Sequence, residues 1–201
     1  MSDVSLGRST RPTRPASFLR LLYLAGLAVL FALPALIAIA NPFGPTEGCC
    51  RYADSSTHTW LDAAGTGGGA AAWEFYFEAA MDYDLAPTDM SEAEVTYHNI
   101  GTNYVDVEWY TSSLEPPAIG VAQCILDVPA DPTRCNHWHV RFNYPTSSTA
   151  TQRHHTACHE IGHTVGLDHE TSPTSSSCMK STTSNVTFSS HDTTVHINPK
   201  Y

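Results

Sequence analysis

The stretch ACHEIGHTVGLDHE, residues 157–170, places His159, His163 and His169 close together, with Glu160 beside the first and Gly166 between the second and third. On a helix, residues four apart lie on one face about a turn apart, so His159 and His163 can share a metal ion. Glu160 neighbours that pair and is placed to act as general base toward a water at the metal. Gly166 permits the positive-φ turn that ends a helix and bends the chain back. His169 then returns as a third nitrogen ligand. Three protein ligands leave a fourth position for water or substrate, which is how catalytic rather than structural zinc is held. In a chain with 11 histidines, chance produces the full H-E-x-x-H-x-x-G-x-x-H pattern on the order of 10⁻⁴ times. The plainer reading, histidines on a solvated helix surface, leaves this spacing unexplained.

At these residues the chain resembles the metzincin metallopeptidases, and among them the matrixin-like branch. The resemblance implies a zinc endopeptidase acting on a protein or peptide substrate. Zn2+ would be held by His159, His163 and His169, and Glu160 would take the water proton and pass it to the leaving amine. It also implies a methionine turn under the metal, for which Met179 in Ser177-Cys178-Met179-Lys180 is the candidate. A closing helix would run from His191-Asp192 through Ile197 toward Tyr201. A strand at the cleft edge would align substrate by backbone pairing, and NHWHVRFN is the expected one. The motif residues cover about 157–201. For 70–145 only the order of elements matches. Ser181 stands where astacin-like and serralysin-like members carry a ligating tyrosine. The His-x-Asp arrangement of the matrixin structural-zinc loop is not matched, calcium is not indicated, and no cysteine-switch propeptide is recognisable. His137 and His139 alternate on one strand and face the same way; they read as strand surface, with a second metal as the alternative. His154 and His155 read as solvated, because a fourth zinc nitrogen would close the site. A bridge between Cys158 and Cys178 would tie the residue before His159 to the residue before Met179.

The elements that must position these groups follow from periodicity. Residues 41–69 read as irregular and end in a glycine run. AAAWEFYFEAAMDYD, about 70–84, reads as a helix with Trp73, Phe77 and Ala80 on one stripe. AEVTYHN (93–99) and NYVDVEWYTSS (103–113) read as strands joined by a turn at Asn99-Ile100-Gly101. GVAQCILDV and NHWHVRFNY read as two further strands about the proline turn VPADPTR. The segment from Ser147 or Ser148, as N-cap, to Val165 reads as the active-site helix, and a short helix or turn lies around SSHDTTVHIN. The expectation is one α+β domain over 70–201, with a small mixed sheet, an active-site helix and a C-terminal helix.

Composition bounds the rest. The 201 residues are 42% hydrophobic and 15% charged, which suits one packed domain. The net charge is −10, and only Arg8, Arg11, Arg14, Arg20 and Asp3 are charged within the first 40 residues. The acidic remainder would repel nucleic acid and anionic lipid. A basic leader precedes the apolar run 21–40, which ends in Ala38-Ile39-Ala40. That is a signal peptide cleaved after Ala40, or else an uncleaved anchor that leaves the domain outside and is the one route to a membrane. All six cysteines follow this segment, as disulfides in an exported protein would. Cys124 and Cys135 flank the proline turn and could staple its base. Cys49 and Cys50 could pair with each other, tie down the N-terminus or link elsewhere. The expected function is a secreted zinc endopeptidase; the alternative is an inactive secreted zinc-binding or adhesion module on the same frame.

Overall fold

The computed structural model describes residues 51–63, 71–96, 105–143, 148–182 and 184–201, all in the unit Ala38–Tyr201. The second unit, Met1–Ile37, the apolar run, Cys49, Cys50, the turn expected at 99–101 and Ser147 lie outside the described residues. The described chain is mixed α and β, with a mostly parallel sheet and few helices, an α+β architecture at that level. Its strands are β1 (Tyr52–Ala53), β2 (Thr57–Asp62), β3 (Ser91–Glu94), β4 (Val107–Ser112), β5 (Gly120–Val128) and β6 (Asp131–Asn143). Helix α1 spans Glu74–Ala79 and runs into a π-helical turn, Ala80–Asp84. Helix α2 spans Ala150–Thr164, and a second π-helical turn spans Asp192–Ile197.

Strand β2 lies between β3 and β4 and is parallel to both. Strand β4 runs parallel to β6, which also takes β1 at Arg134 and Cys135. Strand β5 is antiparallel to β6. Strand alternation sorts the side chains. Val107 and Trp109 of β4, with Trp138, Val140 and Phe142 of β6, are buried in the core shared with α1 and α2. The expected stripe Trp73, Phe77 and Ala80 is buried against it. The rings of Trp73 and Phe142 stack at 4.2 Å, and those of Phe77 and Trp109 at 5.3 Å. Such parallel pairs add to their large buried area.

Four expectations are corrected. Part of the segment read as irregular (41–69) forms β1 and the central strand β2. His58 and Trp60 alternate inward there with Thr57 and Thr59 less buried; a histidine at an inward position hides the alternation in sequence. The strand expected at 136–144 starts at Asp131, because the proline turn is a tight hairpin between Val128 and Asp131 rather than a longer break. The N-cap of α2 is Thr149. Its hydroxyl accepts from the Gln152 amide, and the Gln152 side chain accepts from the Thr149 amide, a reciprocal capping box. Finally, β6 is flanked on both sides, so the edge on its side of the sheet is β5, which pairs only with β6 among the described residues.

Among the described residues two disulfides form, Cys124–Cys135 across the β5–β6 hairpin and Cys158–Cys178 between α2 and the later turn. Among the described residues no helix is long and apolar enough to cross a membrane.

Candidate metal centre

Helix α2 supplies His159 and His163, whose rings lie 4.6 Å apart between centroids. Gly166, at φ 92°, turns the chain out of the helix, and the His169 ring arrives 5.0 Å from each of the other two. One ring nitrogen from each of the three falls within 4.8 Å of the others. Gly166 is required twice over. Its φ is in the left-handed region, and a Cβ there would lie 2.5 Å from the Tyr52 ring.

Hydrogen bonds set the tautomers. His159 Nδ1 lies 2.9 Å from the Cys178 carbonyl oxygen, and His163 Nδ1 lies 2.9 Å from that of Leu167. A carbonyl only accepts, so each Nδ1 carries the proton and donates it. Each Nε2 is thereby left with its lone pair, which is how a metal-ligating histidine is oriented. Burial, reinforced by the neighbouring imidazoles, drives His159 down to about 3; burial drives His163 down to about 4, against the bond to Leu167. Both rings are therefore neutral near pH 7. His169 is the exposed member, with 59% of its side-chain surface open to solvent.

Glu160 is buried, and burial pushes its carboxyl up to about 8 while a bond from the Ala122 amide of β5 pulls it down. Strand β5 comes this close because residue 120 is glycine. A Cβ there would sit 2.7 Å from Glu160 Oε1 and 2.6 Å from Thr156 Cγ2. Met179 is wholly buried against Gly162, where a Cβ would collide with its sulfur. Gly162 lies one residue before His163, so the methionine presses on the helix between the two histidines. Its turn is tied by the Met179 amide donating to Ser177 Oγ at 2.9 Å and the Glu170 amide donating to the Met179 carbonyl at 2.8 Å. The Cys158–Cys178 bridge holds the residue whose carbonyl accepts from His159.

The sequence reading missed several supports. Thr164 donates to the Ile161 carbonyl at 2.8 Å, so its hydroxyl oxygen accepts from Nε2–H of His58 at 2.9 Å. His58 is fully buried and driven down to about 3, which keeps it neutral. The Tyr201 hydroxyl accepts from the Ala53 amide at 2.7 Å and donates to the Val165 carbonyl at 3.3 Å. It joins the chain end, β1 and the end of α2. These links need contacts 36 to 148 residues apart, for which the local sequence carries no signal.

His154 and His155 are not solvated as expected. His155 is buried and donates from Nδ1 to the Asn185 carbonyl at 2.5 Å; its ring lies 5.8 Å from His159 but outside the three-histidine group. His154 is half-buried, with Nε2 3.6 Å from Asp84 Oδ2. His137 and His139 are not plain strand surface either. His137 is buried, and the pair gathers with Glu108 into a second group of ligand-type atoms within 4.8 Å of one another.

The donor set of the first group fits a divalent transition ion: three imidazoles, two of them neutral and oriented by carbonyls, with an exposed third. No protein-family model matches the chain, and no curated protein is significantly similar to it.

Proposed function

We propose that the chain is a secreted zinc-dependent endopeptidase of metzincin, matrixin-like type. The observation that carries the reading is the meeting of His159, His163 and His169, with Nδ1 of the first two held by carbonyls and Glu160 next in the chain. The methionine under Gly162 and the bridged turn at Cys178 support it. Zinc bound by the three histidines would supply Lewis acidity to the scissile carbonyl and to the attacking water.

The chain's own residues do the rest. With a dication held beside it, the Glu160 carboxyl would be ionised despite its burial, and it accepts a proton from the attacking water as the water oxygen bonds to the carbonyl carbon. It then delivers that proton to the amine nitrogen as the C–N bond breaks. The Ala122 amide holds the carboxyl in place from β5. The free edge of the same strand offers backbone groups to an extended substrate, which registers the peptide beside Glu160. Two disulfides and the apolar leader ending at Ala40 support export.

Glu160→Gln tests the reading. Turnover of an unfolded protein or a peptide library should fall by about 10²–10⁴-fold, while zinc stays bound at the three histidines. Undiminished cleavage would overturn the assignment of Glu160. A zinc-loaded wild-type chain that cleaves nothing would favour the inactive binding module.

A further inference from the structure

A second set of histidines lies on the sheet, away from α2. Glu108 of β4 and His139 of β6 are register partners on adjacent parallel strands. His137 precedes His139 by two and so stands on the same face. That face is opposite to the one from which Val107, Trp109, Trp138 and Val140 enter the core. The two imidazole rings lie 5.0 Å apart at 84° to each other.

Both histidines direct Nε2 at one carboxylate atom. His137 Nε2 and His139 Nε2 each lie 3.5 Å from Glu108 Oε2. That is long for an N–H···O bond, which settles near 2.9 Å. It matches the edge of a tetrahedron whose corners lie about 2.1 Å from a central ion, roughly 3.4 Å. The other ring nitrogens are engaged. His137 Nδ1 donates to the Val105 carbonyl at 2.6 Å, so in the neutral ring it is Nε2 that carries the lone pair. His139 Nδ1 is 3.0 Å from the Tyr110 hydroxyl, which can accept its proton. The site thus repeats the device of the helix site: the far nitrogen is held so that the near one faces inward. His137 is buried, and His139 and Glu108 are partly open.

We propose that Glu108, His137 and His139 form a second divalent transition-metal site, suited to zinc, which staples β4 to β6. Two imidazoles and one carboxylate are a donor set for zinc and its first-row neighbours. Calcium and magnesium favour all-oxygen cages. A dication would match the single carboxylate charge once both rings bind through a lone pair. Because the ligands come from two strands, binding stabilises the folded sheet. The site is independent of the peptidase reading.

The test is metal content of the full chain after dialysis against zinc, read by mass spectrometry, with folding checked by circular dichroism. Two zinc ions per chain are expected, one for each group. His137→Ala/His139→Ala should hold one and keep its α2 site. His159→Ala/His163→Ala should also hold one. A sheet variant that still holds two, or an α2 variant that holds none, overturns the proposal. If the wild type holds one ion and the sheet variant holds none, the sheet site stands and the peptidase reading fails. Two measurements avoid the risk that an alanine variant fails to fold. Glu108→Gln keeps the side-chain shape and should lower one of two zinc affinities at least tenfold in competition with a chromophoric chelator; unchanged affinities count against the site. In the unaltered chain, zinc titration should shift the Nε2 resonances of His137 and His139 in nitrogen-15 spectra, and unshifted resonances at saturation overturn it.

Discussion

His159, His163 and His169 stand on the end of α2 and the turn after it, whereas Glu108, His137 and His139 share one face of two paired strands. In both groups, far ring nitrogens are anchored by hydrogen bonds, from His159, His163 and His137 to backbone carbonyls and from His139 to a tyrosine hydroxyl. The settings differ in what is beside the rings. The helix group has a buried carboxyl, Glu160, next in the chain and held by the edge strand β5. The sheet group uses its carboxylate, Glu108, within the cluster itself. A carboxyl beside a cluster can move protons; one inside it can only ligate or pair. On the proposed readings, this difference places chemistry at α2 and stabilisation at the sheet.

The sharpest way to break that contrast is to remove one ligand from each group and measure turnover. If α2 is the peptidase site proposed above, His163→Ala should abolish cleavage, because it removes one of the three ligand-type histidines. His139→Ala should leave most activity at 25 °C and lower the midpoint of thermal unfolding in zinc. Equal losses of turnover would erase the distinction.

Next in size is the Cys158–Cys178 bridge. Cys158→Ser/Cys178→Ser should lower stability by about 3 kcal/mol from the lost closure of its 20-residue separation. It should also loosen zinc at α2 more than at the sheet, since Cys178 anchors His159. Chemical denaturation and metal competition read the two effects.

Gly166→Ala should cost about 1–3 kcal/mol, because φ of 92° is strained for alanine and the new methyl meets Tyr52. Its effect on zinc should likewise be confined to the α2 group, through His169.

The smallest effect concerns Asp84, a control outside both groups. Burial pushes its carboxyl from 3.8 up to about 7. The folded state thus favours the protonated form, so this contribution to stability is full below about pH 4 and is lost as pH rises through about 7. Asp84→Asn should flatten that part of the stability curve, measured by urea unfolding, without moving metal content. An unchanged slope would refute the shifted carboxyl.

The helix group was legible because its ligands are local. Four-residue spacing on a helix and a glycine three residues later specify a geometry from neighbours in the chain. The Cys124–Cys135 staple was legible for the same reason, since a tight hairpin brings its ends together. His58 was not, because its partner Thr164 is 106 residues away. Gly120 was not, because its reason is the Glu160 side chain on another element.

By itself, then, the sequence determined that two imidazoles stand four apart on a helix with a carboxyl beside the first and a third imidazole after a glycine turn, that a core stripe along α1 and its two flanking residues runs through Trp73, Phe77 and Ala80, and that the cysteines follow an apolar leader. Only the tertiary structure decided that residues 57–62 are a central strand, that β5 rather than β6 is the edge, and that Glu108 meets His137 and His139. Helix periodicity is written in local spacing, while strand register is set by pairing between distant segments and cannot be read from either strand alone.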